Sequence, residues 1–209
     1  MMVKNPCLRG LRVVIQNFPI LFYNFEHMQP KVIINSKAFK LILKRLCYEL
    51  IEQHGDFSDT VLMGVQPRGS ELGQRIQQEL KVITGIKVPF GKLDITFFRD
   101  DFRRTEKLLL ADSTEIDFVI ENKKVVLVDD VLYTGRTIRA AMDAMLVYGR
   151  PSAVELLVFV DRRFSRDLPI QATYVGKRVD SITSQRVSVE WDKIEGEDKV
   201  LMFSTDKEK

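Results

Sequence analysis

From Lys37 to His54 the apolar residues Phe39, Ile42, Leu43, Leu46, Cys47, Leu50 and Ile51 recur at the spacing of one helix face. Thr60 to Met63 is a short β-prone run, and Gly64 to Ser70 reads as the loop that follows it. Glu71 to Leu80 reads as a second helix. Lys87 to Phe98 reads as extended chain with a turn at Pro89 to Gly91. Arg99 to Glu121 is polar apart from Leu108 to Leu110, and a connection of that length in a domain is often a lid or flap. Val125 to Val128 is wholly apolar, which suits a strand covered on both faces in a parallel sheet. Asp129 to Thr134 then reads as a loop, Gly135 to Tyr148 as a helix and Gly149 as its stop. Val154 to Val160 is a further buried strand. Short strands follow at Ala172 to Val175, Arg186 to Trp191 and Val200 to Phe203. Strands alternating with helices predict an α/β fold with a mainly parallel central sheet.

Composition narrows this picture. The 209 residues are 45% hydrophobic and 29% charged, enough for one domain with one sizeable core. The 32 basic residues nearly balance 29 acidic ones, so the net charge of +3 marks no dedicated polyanion binder but leaves room for a local basic face. Cys7 and Cys47 are the only cysteines, and His27 and His54 the only histidines. Without a CxxC or Cys/His cluster, a zinc site and a disulfide scaffold are both disfavoured, and a reducing, cytoplasmic setting is expected. No apolar run has the length of a membrane span. Lys4, Arg9 and Arg12 ahead of Val13 to Phe25 give the outline of a leader, but Gln16, Asn17 and Pro19 interrupt it. Residues 1–27 are therefore expected to be a poorly ordered extension, with Met28 a second candidate start. Residues 28–203 are expected to form the domain and 204–209 a polar tail.

The chemistry concentrates in Asp129-Asp130-Val131-Leu132-Tyr133-Thr134-Gly135-Arg136-Thr137. Two carboxylates end a buried strand, and a hydroxyl-rich turn then opens a helix. A helix start offers free N–H groups and partial positive charge to a phosphate. Gly135 lets the backbone approach an anion, and Thr134 and Thr137 can donate hydroxyl hydrogen bonds. Asp129 and Asp130 can accept from sugar hydroxyls or hold Mg²⁺ through water. Acids for a sugar beside a cradle for a phosphate describe a ribose phosphate. The competing reading is a surface acidic pair ahead of a capped helix. It explains the cap but not the carboxylates at the end of an apolar strand. Upstream, Pro67-Arg68-Gly69 lies between a strand and a helix, where a tight loop with one arginine suits pyrophosphate.

These segments resemble the binding motifs of type I phosphoribosyltransferases. Asp-Asp-Val-Leu-Tyr-Thr-Gly-Arg-Thr at 129–137 is similar, more narrowly, to the bifunctional pyrimidine operon attenuation regulators with uracil phosphoribosyltransferase activity. Asp94 to Asp101, Gly149-Arg150-Pro151, Val160-Asp161-Arg162, Leu168-Pro169-Ile170 and Tyr174 to Lys177 carry the same resemblance, which runs from about Lys31 to Phe203. It implies a central sheet flanked by helices, with a small hood over the base and a flexible flap. It implies uracil and phosphoribosyl pyrophosphate as substrates, UMP as product, Mg²⁺ as cofactor and assembly into dimers or larger. Asp129, Asp130 and Arg68 would carry the reaction. Residues 131–137 with Pro67, Gly69 and Arg99 would hold phosphoribosyl pyrophosphate, and Asp161, Arg162 and Lys177 are candidates for the base. Tyr133 stands where purine enzymes usually carry an Asp, which argues against a purine salvage enzyme of the same fold.

The resemblance also implies a second class of function, binding of the pyrimidine-operon mRNA leader when UMP is present, with enzyme activity secondary. Lys40, Lys44, Arg45, Arg166 and Lys177 are the candidate RNA contacts, and Lys37, Lys40 and Lys44 share one side of the first helix. A solvated helix face is the competing reading. The chain departs from the family pattern at Lys44 and Tyr48, where Thr and His are usual, and at Gln171, where Arg is common.

Overall fold

The computed structural model describes residues 28–100, 113–182 and 184–205. The expected extension 1–27, with Cys7 and His27, lies outside them, as do residues 101–112 of the expected flap and residues 206–209 of the tail.

Five strands form the central sheet, all parallel: β2 (Thr60–Val65), β3 (Phe90–Leu93), β4 (Lys124–Leu132), β5 (Ala153–Arg163) and β6 (Tyr174–Asp180), in the order β3-β2-β4-β5-β6. Helix α1 (Ser36–His54) starts at Asn35, whose side chain accepts from the Ala38 N–H at 3.0 Å. Helix α1 and helix α2 (Arg68–Thr84) cover one face, and α3 (Arg136–Met145) covers the other. The two faces explain the unbroken apolar run in β4. Val126 and Val128 join the core under α1 and α2, while Val125 and Leu127 join the core under α3.

A second, antiparallel sheet has the order β1-β8-β7, from β1 (Met28–Ile34), β7 (Gln185–Glu190) and β8 (Lys199–Thr205). With the short helix α4 (Asp192–Glu195) it forms the hood. Trp191 and Val189 pack it onto the main core. Phe39 of α1 stacks on Phe159 at 4.1 Å and meets the edge of Trp191 at 5.6 Å, so Trp191 is a packing residue.

Several boundaries differ from those expected, among them the turn expected at Pro89 to Gly91, where β3 already begins at Phe90. Strand β4 does not stop at Val128 but runs to Leu132, because β5 is itself long enough to pair with it as far as Leu132↔Asp161. The acidic pair is therefore on a strand, not in a loop. The stretch Gly64 to Ser70 is not a loop throughout, since β2 keeps Val65 and α2 begins at Arg68. Helix α3 ends at Met145, three residues before Tyr148, and a turn carries the chain on. Ser204 and Thr205 belong to β8, paired with Gln29 and Met28 of a strand that the interrupted pattern at Gln29, Pro30 and Lys31 conceals.

Candidate active site

The chain leaves β2 towards β3 on one side and returns to β4 on the other. A crevice therefore opens between the carboxyl ends of β2 and β4, where open parallel sheets take their ligands. Two segments meet there: the start of α2 and the end of β4. A Cβ on Gly69 would stand 2.4 Å from the Val128 carbonyl oxygen and 2.9 Å from the Asp129 Cα, so only glycine lets α2 begin this close to β4.

Asp129 is buried and Asp130 half-buried. The Asp130 N–H donates to Asp129 Oδ1 at 3.0 Å. Burial, and then the neighbouring Asp130 charge, push the Asp129 carboxyl well above the usual carboxylate range. Burial also raises Asp130, against the attraction of the Arg68 guanidinium. The pair thus resists carrying two negative charges until something with hydroxyl donors or positive charge arrives. Arg68 lies near enough to be felt by Asp130, yet it donates to the Val189 carbonyl and, at 3.1 Å, to Glu195 of the hood. Pro67, before it, follows a cis peptide bond and is exposed.

The turn behind the pair has the form of an anion cradle. Gly135 is left-handed at φ 92°, a conformation that favours glycine, and α3 starts immediately after it. Thr134 Oγ1 accepts from the Arg136 N–H at 3.4 Å, and Thr137 sits in the first turn of α3. The Arg136 side chain is directed at two acids, Asp100 at 2.6 Å and Asp167 at 3.0 Å. Val131 and Leu132 are strand residues paired with Val160 and Asp161, so their backbone is committed to the sheet. Arg99 ends a 3-10 turn at Thr96–Phe98 and leads into residues outside the described set.

Beside the cradle, the Arg162 guanidinium lies 3.8 Å from the centre of the Tyr133 ring. Arg162 is buried and donates to Ser181 Oγ at 2.8 Å and to the Gln185 carbonyl at 2.7 Å. Asp161 is buried and ion-paired with Arg166. The structure thus gathers Asp129, Asp130, Arg68, Gly69 and residues 133–137 at one crevice, with Asp161, Arg162 and Arg166 packed behind Tyr133.

The other expected RNA contacts lie elsewhere. Lys40 and Lys44 line a cavity of about 430 Å³ between α1, α2 and α4, and Lys44 is 3.7 Å from Glu79. Arg45 donates to the Val175 and Gly176 carbonyls at 3.0 and 2.7 Å, next to the exposed Lys177. Arg166 faces the crevice rather than this surface. Sequence reasoning gave no place to Glu195 or Asp167. Neither belongs to a motif, and only the folded chain brings them to Arg68 and Arg136.

Among the described residues no group of three or more metal-ligating side chains exists. Two adjacent carboxylates instead fit a hydrated magnesium ion that takes most of its oxygens from substrate and water.

Residues 31–193 match the phosphoribosyl transferase domain family. The chain is 42% identical over 178 residues to the "Bifunctional protein PyrR" of Caldicellulosiruptor bescii, covering 85% of this chain and 97% of that one. It is 44% identical over 179 residues to the "Pyrimidine operon regulatory protein" of Lactococcus lactis subsp. lactis, covering 86% of this chain and 100% of that one. Among solved structures, the hypoxanthine phosphoribosyl transferase of Trypanosoma cruzi superposes with a TM-score of 0.63 at 16% identity, covering 85% of this chain and 92% of that one. A Staphylococcus aureus hypoxanthine phosphoribosyltransferase gives 0.60 at 16% identity, covering 83% and 92%. At such low identity these two establish the shared fold alone.

Proposed function

This chain belongs to the phosphoribosyl transferase domain family and, within it, to the bifunctional PyrR proteins, and from that premise we propose that it joins uracil to the ribose phosphate of phosphoribosyl pyrophosphate, giving UMP and pyrophosphate. The observation that carries this reading is the pair of buried Asp129 and half-buried Asp130 at the end of β4, against the start of α3. Bound there, the 5′-phosphate meets the Thr134–Thr137 turn and the ribose hydroxyls donate to the carboxylates. The C1–oxygen bond to pyrophosphate breaks with its electron pair leaving on the oxygen. Positive charge develops at C1 as the bond to uracil N1 forms, and the N1 proton passes to solvent water. Arg68 and the N–H groups at the start of α2 stabilise the leaving pyrophosphate. Doing so requires Arg68 to exchange its hood partner Glu195 for the ligand. Positioning supplies the rest of the acceleration. Mg²⁺, held by Asp129 and Asp130 through water, would neutralise pyrophosphate charge when bound. His54 takes no part, since it is hydrogen-bonded to Thr60 and Tyr174 at the opposite end of the sheet.

The regulatory half of the reading rests on relatives that bear the name of a pyrimidine operon regulatory protein. Arg45 and Lys177 adjoin at the outer edge of β6, and that edge, with Lys40 and Lys44, is the surface we assign to leader RNA when UMP is bound. Assembly into dimers or larger belongs to the same proposal, with sedimentation as its check.

The test is pyrophosphate release with Mg²⁺ and phosphoribosyl pyrophosphate, comparing uracil, hypoxanthine, guanine and orotate. Turnover with uracil alone is the expected result, and turnover with a purine base in preference would overturn the assignment.

A further inference from the structure

The segment from Phe164 to Ile170, between β5 and β6, wraps the phosphate turn, and of its residues the motifs of the resemblance include only Leu168-Pro169-Ile170, without a role. Arg166 donates to the Tyr133 carbonyl and pairs with Asp161 through the same guanidinium. The N–H groups of Asp167 and Leu168 both donate to the Thr134 carbonyl, at 3.0 and 3.1 Å. The Asp167 carboxylate holds Arg136, the first residue of α3, at 3.0 Å. Behind Gly135, a Cβ would meet Ile170 Cδ1 at 3.2 Å and Leu168 Cβ at 3.4 Å. Every residue from Tyr133 to Arg136 is therefore touched by this one segment. At its start Phe164, an exposed residue, is left-handed at φ 68°.

We propose that Arg166 is a positioning residue for phosphoribosyl pyrophosphate, holding the Tyr133–Gly135 turn in its anion-binding shape through the Tyr133 carbonyl while Asp161 neutralises its charge. The inference rests on the phosphate assignment made above and adds a residue that touches no substrate. It also separates Arg166 from the RNA contacts, because its guanidinium is spent inside the crevice. Thr134 and the N–H groups of α3 can meet a phosphate only if the turn before them keeps its course. A carbonyl pinned by a charged donor is the stiffer arrangement.

Charge and positioning predict opposite results at Asp161. Asp161→Asn leaves Arg166 an uncompensated cation near the cradle. If charge alone governed binding, phosphoribosyl pyrophosphate would bind more tightly. If Arg166 acts by holding the turn, losing its anchor loosens binding. The experiment is calorimetric binding of phosphoribosyl pyrophosphate with Mg²⁺ to the full chain, for wild type, Arg166→Ala, Arg166→Lys, Asp161→Asn and the surface variant Asp167→Asn. The expected dissociation constant rises about tenfold in Arg166→Ala, a loss of about 1.4 kcal/mol. It rises less in Arg166→Lys, severalfold in Asp161→Asn and about twofold in Asp167→Asn, and the uracil KM of Asp167→Asn at saturating phosphoribosyl pyrophosphate is unchanged. Asp167→Asn removes only an exposed ion pair, so it keeps the test open if a crevice variant fails to fold. Tighter binding in Asp161→Asn, or unchanged binding in Arg166→Ala, overturns the inference while leaving the enzyme assignment intact. Wild-type protein that binds no phosphoribosyl pyrophosphate overturns both.

Discussion

At the amino end of the central sheet, His54, Thr60, Tyr174 and Glu155 close a polar network on itself. Thr60 Oγ1 meets His54 Nδ1 at 3.0 Å, His54 Nε2 meets the Tyr174 hydroxyl at 3.1 Å, and that hydroxyl donates to Glu155 at 2.6 Å. At the carboxyl end, Asp129 and Asp130 are packed side by side, and Arg68, the cation that pulls on Asp130, is bonded to the hood. Both ends remove titratable groups from water. One supplies their partners from the protein, and the other, on the proposed reading, leaves them for a ligand. A satisfied buried network serves the fold, whereas an unsatisfied one costs stability and is retained where chemistry needs it.

The largest expected contrast is in activity. On the proposed reading, in which the Asp130 charge meets the ligand, Asp130→Asn should lower kcat/KM by about a hundredfold or more, with the fold intact by circular dichroism. Tyr174→Phe, at the closed end, should leave turnover within about twofold while lowering stability by about 1–2 kcal/mol, read from urea unfolding, because two hydrogen bonds go with the hydroxyl. Equal losses of activity at the two ends would dissolve the distinction between them.

The smallest effect is on acid stability. Burial lowers the His54 pKa, against the pull of Glu155. The folded chain then refuses a proton that the unfolded chain accepts below about pH 6.5. His54 therefore contributes stability that is present above that pH and is lost as the pH falls through the window beneath it. Urea midpoints measured from pH 7 to 5 should drop, and His54→Gln should flatten the drop.

The acidic pair has the opposite sign. With folded pKa values raised, Asp129 and Asp130 cost the fold nothing while protonated and cost it increasingly as pH rises from the ordinary carboxylate range through the raised values. If the ionised pair receives the ribose hydroxyls as proposed, affinity for phosphoribosyl pyrophosphate should rise over that same window.

Legibility in the sequence follows the same division. Helix α1 declares itself because its core face repeats at Phe39, Leu46, Cys47 and Leu50, and β4 because both its faces are covered. The acidic pair and the cradle are contiguous in the chain, so their chemistry reads directly. Strand β1 does not read, since pairing with β8 rather than its own pattern makes it a strand. The direction of a long side chain is equally hidden. Arg45, Arg68, Arg162 and Arg166 all read as ligand contacts, yet each donates to a backbone carbonyl distant in sequence. Cys47, buried with its thiol pushed up to about 12, is an inert core residue, as its place on the apolar face of α1 indicates.

The most direct measurement pairs the melting temperature of Asp129→Asn with its affinity for phosphoribosyl pyrophosphate in Mg²⁺ at neutral pH. If the carboxyl end of the sheet sacrifices stability for a ligand, the variant melts higher than wild type, by about 2–4 °C for each 1 kcal/mol relieved, and binds phosphoribosyl pyrophosphate at least tenfold more weakly, about 1.4 kcal/mol. A variant that melts lower and still binds as wild type does would contradict it.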